Sequence, residues 1–293
     1  MNGRGEAAHG RGGTLAAALV TLLLAAAMLG GIALASAVRA GRTYEVTFYQ
    51  VINADVSQNV RFVLLTDLHL REYGGDNAGL IADVAALAPD AILLGGDLVT
   101  YGTDGYDGML ALCRALAQIA PSFAVMGNHE DEMTFLGGDA QLPERFAQTG
   151  VTVLRNRAQT VQLGADTVEI VGVSGYGEGF ERYGGRACME TLDAEHAGLR
   201  VVMAHVPTLF PGMRDAYAFD LGVAGHTHGG IVRLPALGGL YSAEEGLLPV
   251  YDGGQHALDN GAELIVSRGL GHSGRVPRIF NLPELVVIDV NRY

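Results

Sequence analysis

The sequence predicts an α/β fold with a largely parallel sheet at its start, a second sheet after it and a membrane-spanning helix before it. From about Tyr44 onward, short apolar runs rich in β-branched residues alternate with segments whose apolar residues recur at helical spacing. This strand–helix–strand order favours parallel pairing. Strand-like runs dominate the second half of the chain, which indicates the second sheet.

The N-terminal helix is predicted from the 25 uncharged residues of Thr14–Val38. At about 1.5 Å per residue such a helix reaches about 37 Å, enough to cross a hydrocarbon core. A cleaved signal peptide is the alternative, but the run is long for one and Arg39 follows it directly. We therefore expect residues 14–38 to form a single-pass cell-membrane anchor after a tail at residues 1–13.

Equal numbers of positive charges flank this anchor, so charge does not set its orientation in the membrane. Arg4 and Arg11 precede the run, and Arg39 and Arg42 follow it, so the positive-inside count is tied. The short tail favours an extracytoplasmic catalytic domain, and the cytoplasmic side stays open. We expect a juxtamembrane linker and a first strand in residues 39–58, then one domain over residues 59–293.

The predicted elements of this domain alternate regularly. Strands are expected at Val60–Thr66, Ala91–Gly95, Phe123–Met126, Val151–Leu154, Thr167–Val173, Val201–Ala204, Leu221–Ala224 and Leu285–Val290. Helices are expected at Asn77–Leu87, Tyr106–Ile119 and Leu142–Gln148. Ligands of such sheets gather where strands reach their carboxyl ends, so the residues directly after the strands are the candidate site.

Composition excludes several kinds of chemistry. The 293 residues carry a net charge of −13, which argues against a nucleic-acid partner. All 19 basic residues are arginine, so Schiff-base and P-loop lysine chemistry is excluded. Cys113 and Cys188 alone cannot build a cysteine zinc site, and Cys113 fits a helical core position. A hydrophobic fraction of 49% is too high for a disordered chain.

Five short motifs, each directly after a predicted strand, carry metal-binding residue types. They are Asp67-Leu68-His69, Gly96-Asp97, Gly127-Asn128-His129-Glu130, His205 and Gly225-His226-Thr227-His228. Each motif alone is weak, since a single Asp or His there is more often a turn, a helix cap or a structural residue. Five in order, holding five of the nine histidines, indicate a metal site.

Carboxylate and imidazole ligands together suit Mn²⁺, Fe or Zn²⁺, and the lack of thiolates argues against structural zinc. One carboxylate shared by two ions would bridge them, and Asp97 is the natural candidate. We expect two divalent ions, with Mn²⁺ favoured over Fe, Zn²⁺ and Mg²⁺. Such a pair clamps both sides of a displacement at phosphorus.

The five motifs resemble those of the calcineurin-like metallophosphoesterases, whose blocks run D-x-H, G-D, G-N-H-D/E, H and G-H-x-H. The resemblance extends from about residue 60 to the C-terminus. The stretches Gly225–Pro235, Val266–Gly271 and Arg278–Glu284 are similar to the membrane-associated bacterial branch, which includes enzymes implicated in cleaving UDP-2,3-diacylglucosamine. The resemblance to the family implies a four-layer α/β/β/α sandwich of two mixed sheets flanked by helices.

The resemblance also implies roles for individual residues. A first metal would take Asp67, His69 and His228 and share Asp97, and a second would take Asp97, Asn128, His205 and His226. With Asp97 as the bridge, a hydroxide between the ions would attack the phosphorus in line. His129 would bind no metal and would stabilise the developing charge or protonate the leaving oxygen.

Two positions depart from the family pattern. Glu130 stands where Asp is commoner, and with Asp131 and Glu132 it suits support of the ligands or helix capping rather than direct ligation. The best-known lipid A pathway pyrophosphatases carry Arg at the position of His129, so this chain is not of that type.

Other candidates carry weaker signals. Arg268 and Arg278 could bind a substrate phosphate, although arginines that tie loops together are at least as common. His272 is expected in a surface loop rather than on the pocket rim. The Gly-rich segment Gly172–Gly185, with Tyr176, Phe180 and Tyr183, is expected to be a surface loop.

The predicted function is a membrane-anchored phosphodiesterase or pyrophosphatase acting on a phosphate ester or anhydride, with a lipid-linked substrate favoured by the anchor. A phosphomonoesterase or nucleotide hydrolase with a soluble substrate is the enzymatic alternative. A catalytically inactive metal-binding scaffold is the alternative of another class. The full ligand set argues against it, because an inactive site would be expected to have lost a ligand.

Overall fold

A computed structural model describes residues 7–175, 180, 184–192, 196, 198–213 and 217–292. The long helix α1 (Ala7–Ala40) comes first. Its apolar part, Ala17–Ala40, is 24 residues long, is not buried by the domain, and has the length and composition of a membrane span or a signal sequence.

The first sheet has six strands in the order β1-β16-β2-β3-β4-β5. They are β1 (Glu45–Ile52), β2 (Val60–Leu65), β3 (Ala91–Leu94), β4 (Ser122–Ala124), β5 (Thr152–Val153) and the C-terminal β16 (Glu284–Asn291). Strands β2 to β5 are parallel, as the sequence predicts, and β16 runs antiparallel to β2 and parallel to β1. Its helices are α2 (Ala78–Ala86), α3 (Asp107–Leu116), α4 (Asn128–Phe135) and α5 (Leu142–Ala147).

The second sheet also has six strands, in the order β14-β15-β9-β8-β7-β6. They are β6 (Arg157–Leu163), β7 (Asp166–Val173), β8 (Leu199–Ala204), β9 (Leu221–Ala224), β14 (Gly254–Ala257) and β15 (Glu263–Val266). The four central strands are parallel and both outer pairs are antiparallel. The helices α6 (Gly185–Glu190) and α7 (Leu209–Met213) belong to this half. Two small hairpins, β10–β11 (Arg233–Leu234, Gly238–Gly239) and β12–β13 (Tyr241–Ser242, Gly246–Leu247), lie between β9 and β14.

Three apolar cores separate the layers. The central one joins the facing sides of the two sheets, for example Phe62 and Leu64 of the first with Val201 and Val223 of the second. One outer core packs α2, α3 and α5 on the first sheet and includes Cys113. The other covers the second sheet. The α/β/β/α sandwich is therefore confirmed.

Several elements differ from the sequence prediction. Helix α4 is not predicted, because its eight residues NHEDEMTF contain only two apolar side chains. The edge strand β6 is mostly exposed and lacks an apolar run. Of the segment Gly172–Gly185, Phe180 is buried in the outer core of the second sheet rather than exposed, whereas Tyr176 and Tyr183 lie outside the described residues.

Candidate metal centre

The five motifs meet at one place, where both sheets present the carboxyl ends of their parallel strands. Asp67 and His69 follow β2, Asp97 follows β3, and Asn128 begins α4 after β4. From the second sheet, His205 follows β8, and His226 and His228 follow β9. The edge of each sheet contributes part of the set, so the site exists only when the two sheets are packed together.

Three overlapping groups of side chains could each hold an ion, with ligand atoms within 4.8 Å of one another. Two of them correspond to the predicted ligand sets: Asp67, His69 and His228 form one, and Asp97, His205 and His226 form the other. The third group is His69, Asp97 and His129, so His129 lies against the site as well.

Imidazole Nε2 atoms converge on two buried carboxylates. The Nε2 atom of His205 lies 3.1 Å from Asp97 Oδ2 and 3.8 Å from Asp67 Oδ1. His69 Nε2 lies 3.7 Å from Asp97 Oδ2 and 3.3 Å from His228 Nε2. A close pair of nitrogens facing each other, with carboxylates on both sides, is a donor set that fits cations.

Buried polar atoms without a hydrogen-bond partner give a further test of whether these side chains fit a metal ion. Among the described residues, the buried Oδ1 of Asn128 and Nε2 of His205 have no hydrogen-bond partner. Buried polar atoms normally do have one. His205 donates from Nδ1 to the carbonyl of Gly95 at 2.8 Å, which leaves the Nε2 lone pair of the neutral ring free for an ion. The side chains therefore fit bound metal.

The backbone that presents these side chains is strained. Five of the seven predicted ligands have a positive φ: 54° at Asp67, 49° at His69, 52° at Asp97, 70° at His226 and 50° at His228. Residues other than glycine rarely adopt this region, although Asp and His tolerate it better than most. Such strain clusters at functional sites, where the surrounding structure holds it in place.

Glu130 is the main support of this geometry. Its carboxylate is buried and accepts four backbone N–H groups, from Asp97 at 2.8 Å, Leu98 at 2.7 Å, Val99 at 3.1 Å and Gly127 at 2.8 Å. This single side chain fixes the turn after β3 and caps the N-terminus of α4. A Cβ at Gly127 would collide with the Asp97 carboxylate, so only glycine allows this close approach.

Burial keeps three of the histidines neutral. It lowers the pKa of His69 to about 3 and that of His226 to about 4, and it holds the pKa of His228 well below its usual value. A neutral imidazole has a lone pair for a metal. These rings are therefore in their metal-binding form across the physiological pH range.

The carboxylates of Asp67 and Asp97 and the imidazole of His205 shift one another's pKa values. Burial raises the pKa of Asp67 to about 6, against the attraction of His205. Burial acts in the same direction on Asp97, but His205 and His69 outweigh it and hold the pKa of Asp97 well below its usual range. Burial lowers the pKa of His205, whereas Asp97 and Asp67 raise it to about 10. The two buried carboxylates thus favour positive charge beside His205, as they would favour a bound ion.

His129 is held in one tautomer. The backbone N–H of Tyr101 donates to His129 Nδ1 at 3.0 Å, so the neutral ring carries its proton on Nε2. The ring lies edge-on to His69, with centroids 4.9 Å apart. His129 can therefore donate a hydrogen bond from Nε2 beside the candidate metal ligands.

The two arginines predicted to contact substrate are already engaged. Arg268 binds Glu284 at 2.5 Å and Glu45 at 2.6 Å, which ties β16 and β1 to the end of β15. Arg278 is buried, donates to the carbonyls of Arg268 and Gly271, and lies with Nη2 3.2 Å from His228 Nδ1. Only Arg278 adjoins the metal ligands.

His272 corrects the expectation of a surface position. It is half-buried, and its ring lies edge-on to His228 with centroids 5.3 Å apart. Its Nε2 is 2.7 Å from the carbonyl oxygen of Val276. The sequence favoured a plain surface loop because His272 comes six residues after β15 rather than directly at its end, so its position along the chain gives no sign of the contact with His228.

Comparisons with known proteins agree with this geometry. The family model described as calcineurin-like phosphoesterase matches residues 60–230. "Phosphodiesterase YaeI" of Escherichia coli is 33% identical over 183 residues, covering 61% of this chain and 64% of that protein. "Uncharacterized metallophosphoesterase Cj0846" of Campylobacter jejuni is 26% identical over 85% of this chain and 64% of its own length. "Uncharacterized metallophosphoesterase YkuE" of Bacillus subtilis is 28% identical over 78% of both chains. The chain thus spans somewhat less than two thirds of the first two relatives.

Proposed function

The chain belongs to the calcineurin-like phosphoesterase family, and we propose that it is a dinuclear metal-dependent phosphohydrolase, a phosphodiesterase or pyrophosphatase. The observation that carries this proposal is the convergence of two ligand groups, Asp67–His69–His228 and Asp97–His205–His226, with the unpartnered Asn128 Oδ1 beside them. The name of the Escherichia coli relative, a phosphodiesterase, supports a diester substrate.

The same contacts support the ligand assignment that we propose. Asp67, His69 and His228 would hold the first ion, and Asn128, His205 and His226 the second, with Asp97 shared. When bound, two divalent ions supply positive charge for the phosphate oxygens and lower the pKa of a water molecule that can attack phosphorus. Mn²⁺ is the favoured ion because the donors are oxygen and nitrogen only.

The chain itself supplies two further functions. His129 directs an Nε2–H toward the ligands and donates a hydrogen bond to an oxygen that gains charge at phosphorus. Stabilisation of the developing charge is the role that this Nε2–H donor supports, and protonation of the leaving oxygen is the alternative. Glu130 keeps Asp97 in place while ions and substrate come and go.

We place the reaction at a membrane, on a lipid-linked phosphoester or pyrophosphate of which UDP-2,3-diacylglucosamine is one example. Helix α1 supports this because its apolar part has the length of a membrane span. The backbone N–H of Phe280 donates to Ser36 Oγ at 2.6 Å, which joins the end of that helix to the segment that carries Arg278.

The test uses the full chain in nanodiscs, stripped of metal by chelation and reloaded with Mn²⁺. Ethyl 4-nitrophenyl phosphate, a diester, is compared with 4-nitrophenyl phosphate, the monoester. We expect diester cleavage that is lost on chelation and restored by Mn²⁺. Cleavage of the monoester alone would favour a phosphomonoesterase. Tight metal binding without cleavage of either ester would overturn the proposal and favour a metal-binding scaffold.

A further inference from the structure

An apolar pocket lies beside the metal centre and has no part in metal binding. Its volume is about 400 Å³, within the range of small-molecule sites. Four aliphatic side chains line it, Ile231, Val232, Leu240 and Val276, together with the rings of Tyr241 and His272. Gly230, Gly274 and Arg275 complete the lining. We call the space enclosed by these residues the apolar pocket.

One ring separates this pocket from the metal ligands. His272 lines the pocket, and the same ring lies edge-on to His228, with centroids 5.3 Å apart. His228 is in turn 3.8 Å from Asp67, measured from Nε2 to Oδ1. A phosphoester held at the metal centre would therefore have the pocket directly beside it, within reach of a substituent on the same molecule.

The wall of the pocket that follows the last ligand motif is strained. Ile231 has φ 62° and ψ −63°, and the N–H of Val232 donates to the carbonyl of Gly230 at 2.7 Å across it. This is the rare three-residue turn with positive φ, and a β-branched residue is an outlier there. The contacts of Asn281 Nδ2 with the carbonyls of His228 at 2.7 Å and Ile231 at 3.1 Å hold it in place.

The same wall of the pocket connects through Val232 to the long N-terminal helix. Val232 forms a parallel bridge with Ile279, and the next residue, Phe280, is bonded to Ser36. Ser36 is partly buried at this contact, as are Ala33 and Ala37 on the same helix.

The rim of the pocket is apolar and accessible. Val276 is 56% exposed and Tyr241 50%, and Leu247, paired with Tyr241 in the second hairpin, is 80% exposed. The pocket thus has an exposed apolar rim, a backbone connection to the candidate membrane-span helix, and the His272 ring between it and His228.

We propose that the apolar pocket binds a hydrocarbon chain of the substrate itself, so that the enzyme cleaves a phosphoester that carries an alkyl or acyl chain. This inference rests on the proposed function and adds where the chain binds. The occupant is a chain covalently joined to the phosphate, because the pocket adjoins His228 through His272. Its source is the bilayer, because Val232 of the pocket pairs with Ile279, and the next residue, Phe280, is bonded to the helix that would enter the bilayer.

The experiment compares ethyl and decyl 4-nitrophenyl phosphate with the full Mn²⁺-loaded chain in phosphatidylcholine nanodiscs. We expect KM for the decyl ester to be at least tenfold lower, since each fully buried methylene contributes a factor of up to about four. Val276→Glu places a charge in the pocket and should reduce this preference, measured as the ratio of the two KM values, to within twofold. The matched control is Leu237→Glu, a charge at a 62% exposed apolar position that does not line the pocket.

A second measurement keeps this inference separate from turnover. Decylphosphonate and methylphosphonate are titrated calorimetrically into the same nanodiscs, with and without Val276→Glu. Tighter binding of decylphosphonate than of methylphosphonate to the wild type supports the pocket if it is lost in Val276→Glu and kept in Leu237→Glu. This holds even if neither ester is hydrolysed, and in that case only the proposed function fails. Hydrolysis of the ethyl ester without any chain preference, or an equal loss in Leu237→Glu, would overturn the pocket and leave the proposed function intact.

Discussion

The metal centre and the apolar pocket lie one imidazole ring apart, yet they are built in different ways. The metal centre takes its residues from the ends of five strands in two sheets, between Asp67 and His228, and its carboxylates are buried. The pocket takes its residues from the later stretch between Gly230 and Val276, which holds two-residue strands and exposed apolar side chains.

The metal centre and the apolar pocket therefore differ in how well they tolerate substitution. The centre depends on strand pairing across the whole domain, on strained ligand backbones and on the four hydrogen bonds of Glu130, so few substitutions there are tolerated. The pocket wall comes from two segments outside the main sheets, residues 230–241 and 272–276, and its rim is exposed. We infer that the chemistry is fixed by the sandwich, whereas the choice of substrate depends on a segment that can change without disturbing it.

The largest effect is expected from Asp97→Asn, which keeps the size of the side chain and removes the shared charge. Activity should fall by more than the roughly 100-fold that loss of an outer ligand partner costs. Bound metal, measured by elemental analysis, should drop from two ions to one or none. Asp107→Asn, on the exposed surface of α3, is the control. Two bound ions with full activity would show that Asp97 is not the bridge.

Next in size is His129→Ala, which removes the Nε2–H donor and leaves the predicted ligands intact. We expect kcat to fall by about 100-fold, as for loss of one donor to a developing oxyanion. Metal content should be unchanged, measured on the same sample, and His256→Ala provides a histidine substitution on β14 for comparison. If metal were lost from a folded protein, His129 would be a ligand, as its group with His69 and Asp97 allows.

A smaller loss is expected from Glu130→Gln. The amide replaces one acceptor oxygen with a donor that faces backbone N–H groups, so metal affinity or activity should fall by about 10–100-fold. Thermal unfolding should begin at a lower temperature as well. Glu132→Gln, two residues further along α4, should change neither property. Equal behaviour of the two variants would mean that the turn after β3 holds without Glu130.

The smallest effect is expected on the pocket side. Leu247→Ala, at an 80% exposed position, should change the free energy of unfolding by less than about 0.5 kcal/mol. Leu64→Ala, fully buried between the sheets, should cost about 2–5 kcal/mol. Denaturant titrations of both variants measure this contrast, and a large loss at Leu247 would show that the hairpin contributes to the fold.

Residue order alone establishes which elements form and which residues gather at their ends. Apolar runs such as Val60–Leu65 and Leu221–Ala224 identify strands because each is buried on both faces. The residues after these strands, among them Asp67, Asp97 and His205, are brought together by parallel pairing, a rule that depends on topology alone. The α/β class, the two sheets and the candidate ligands were therefore predictable.

The way these residues act depends on three-dimensional packing. The four hydrogen bonds of Glu130, the tautomer of His129 and the carboxylate partners of Arg268 depend on atoms far apart in the chain. The place of His272 beside His228 and the apolar pocket depend on loops folded against one another. Residue type and periodicity describe what each segment can do, but orientation is set by long-range packing. The residue types limit which chemistry the chain can support, and contacts between distant segments determine the role of each side chain.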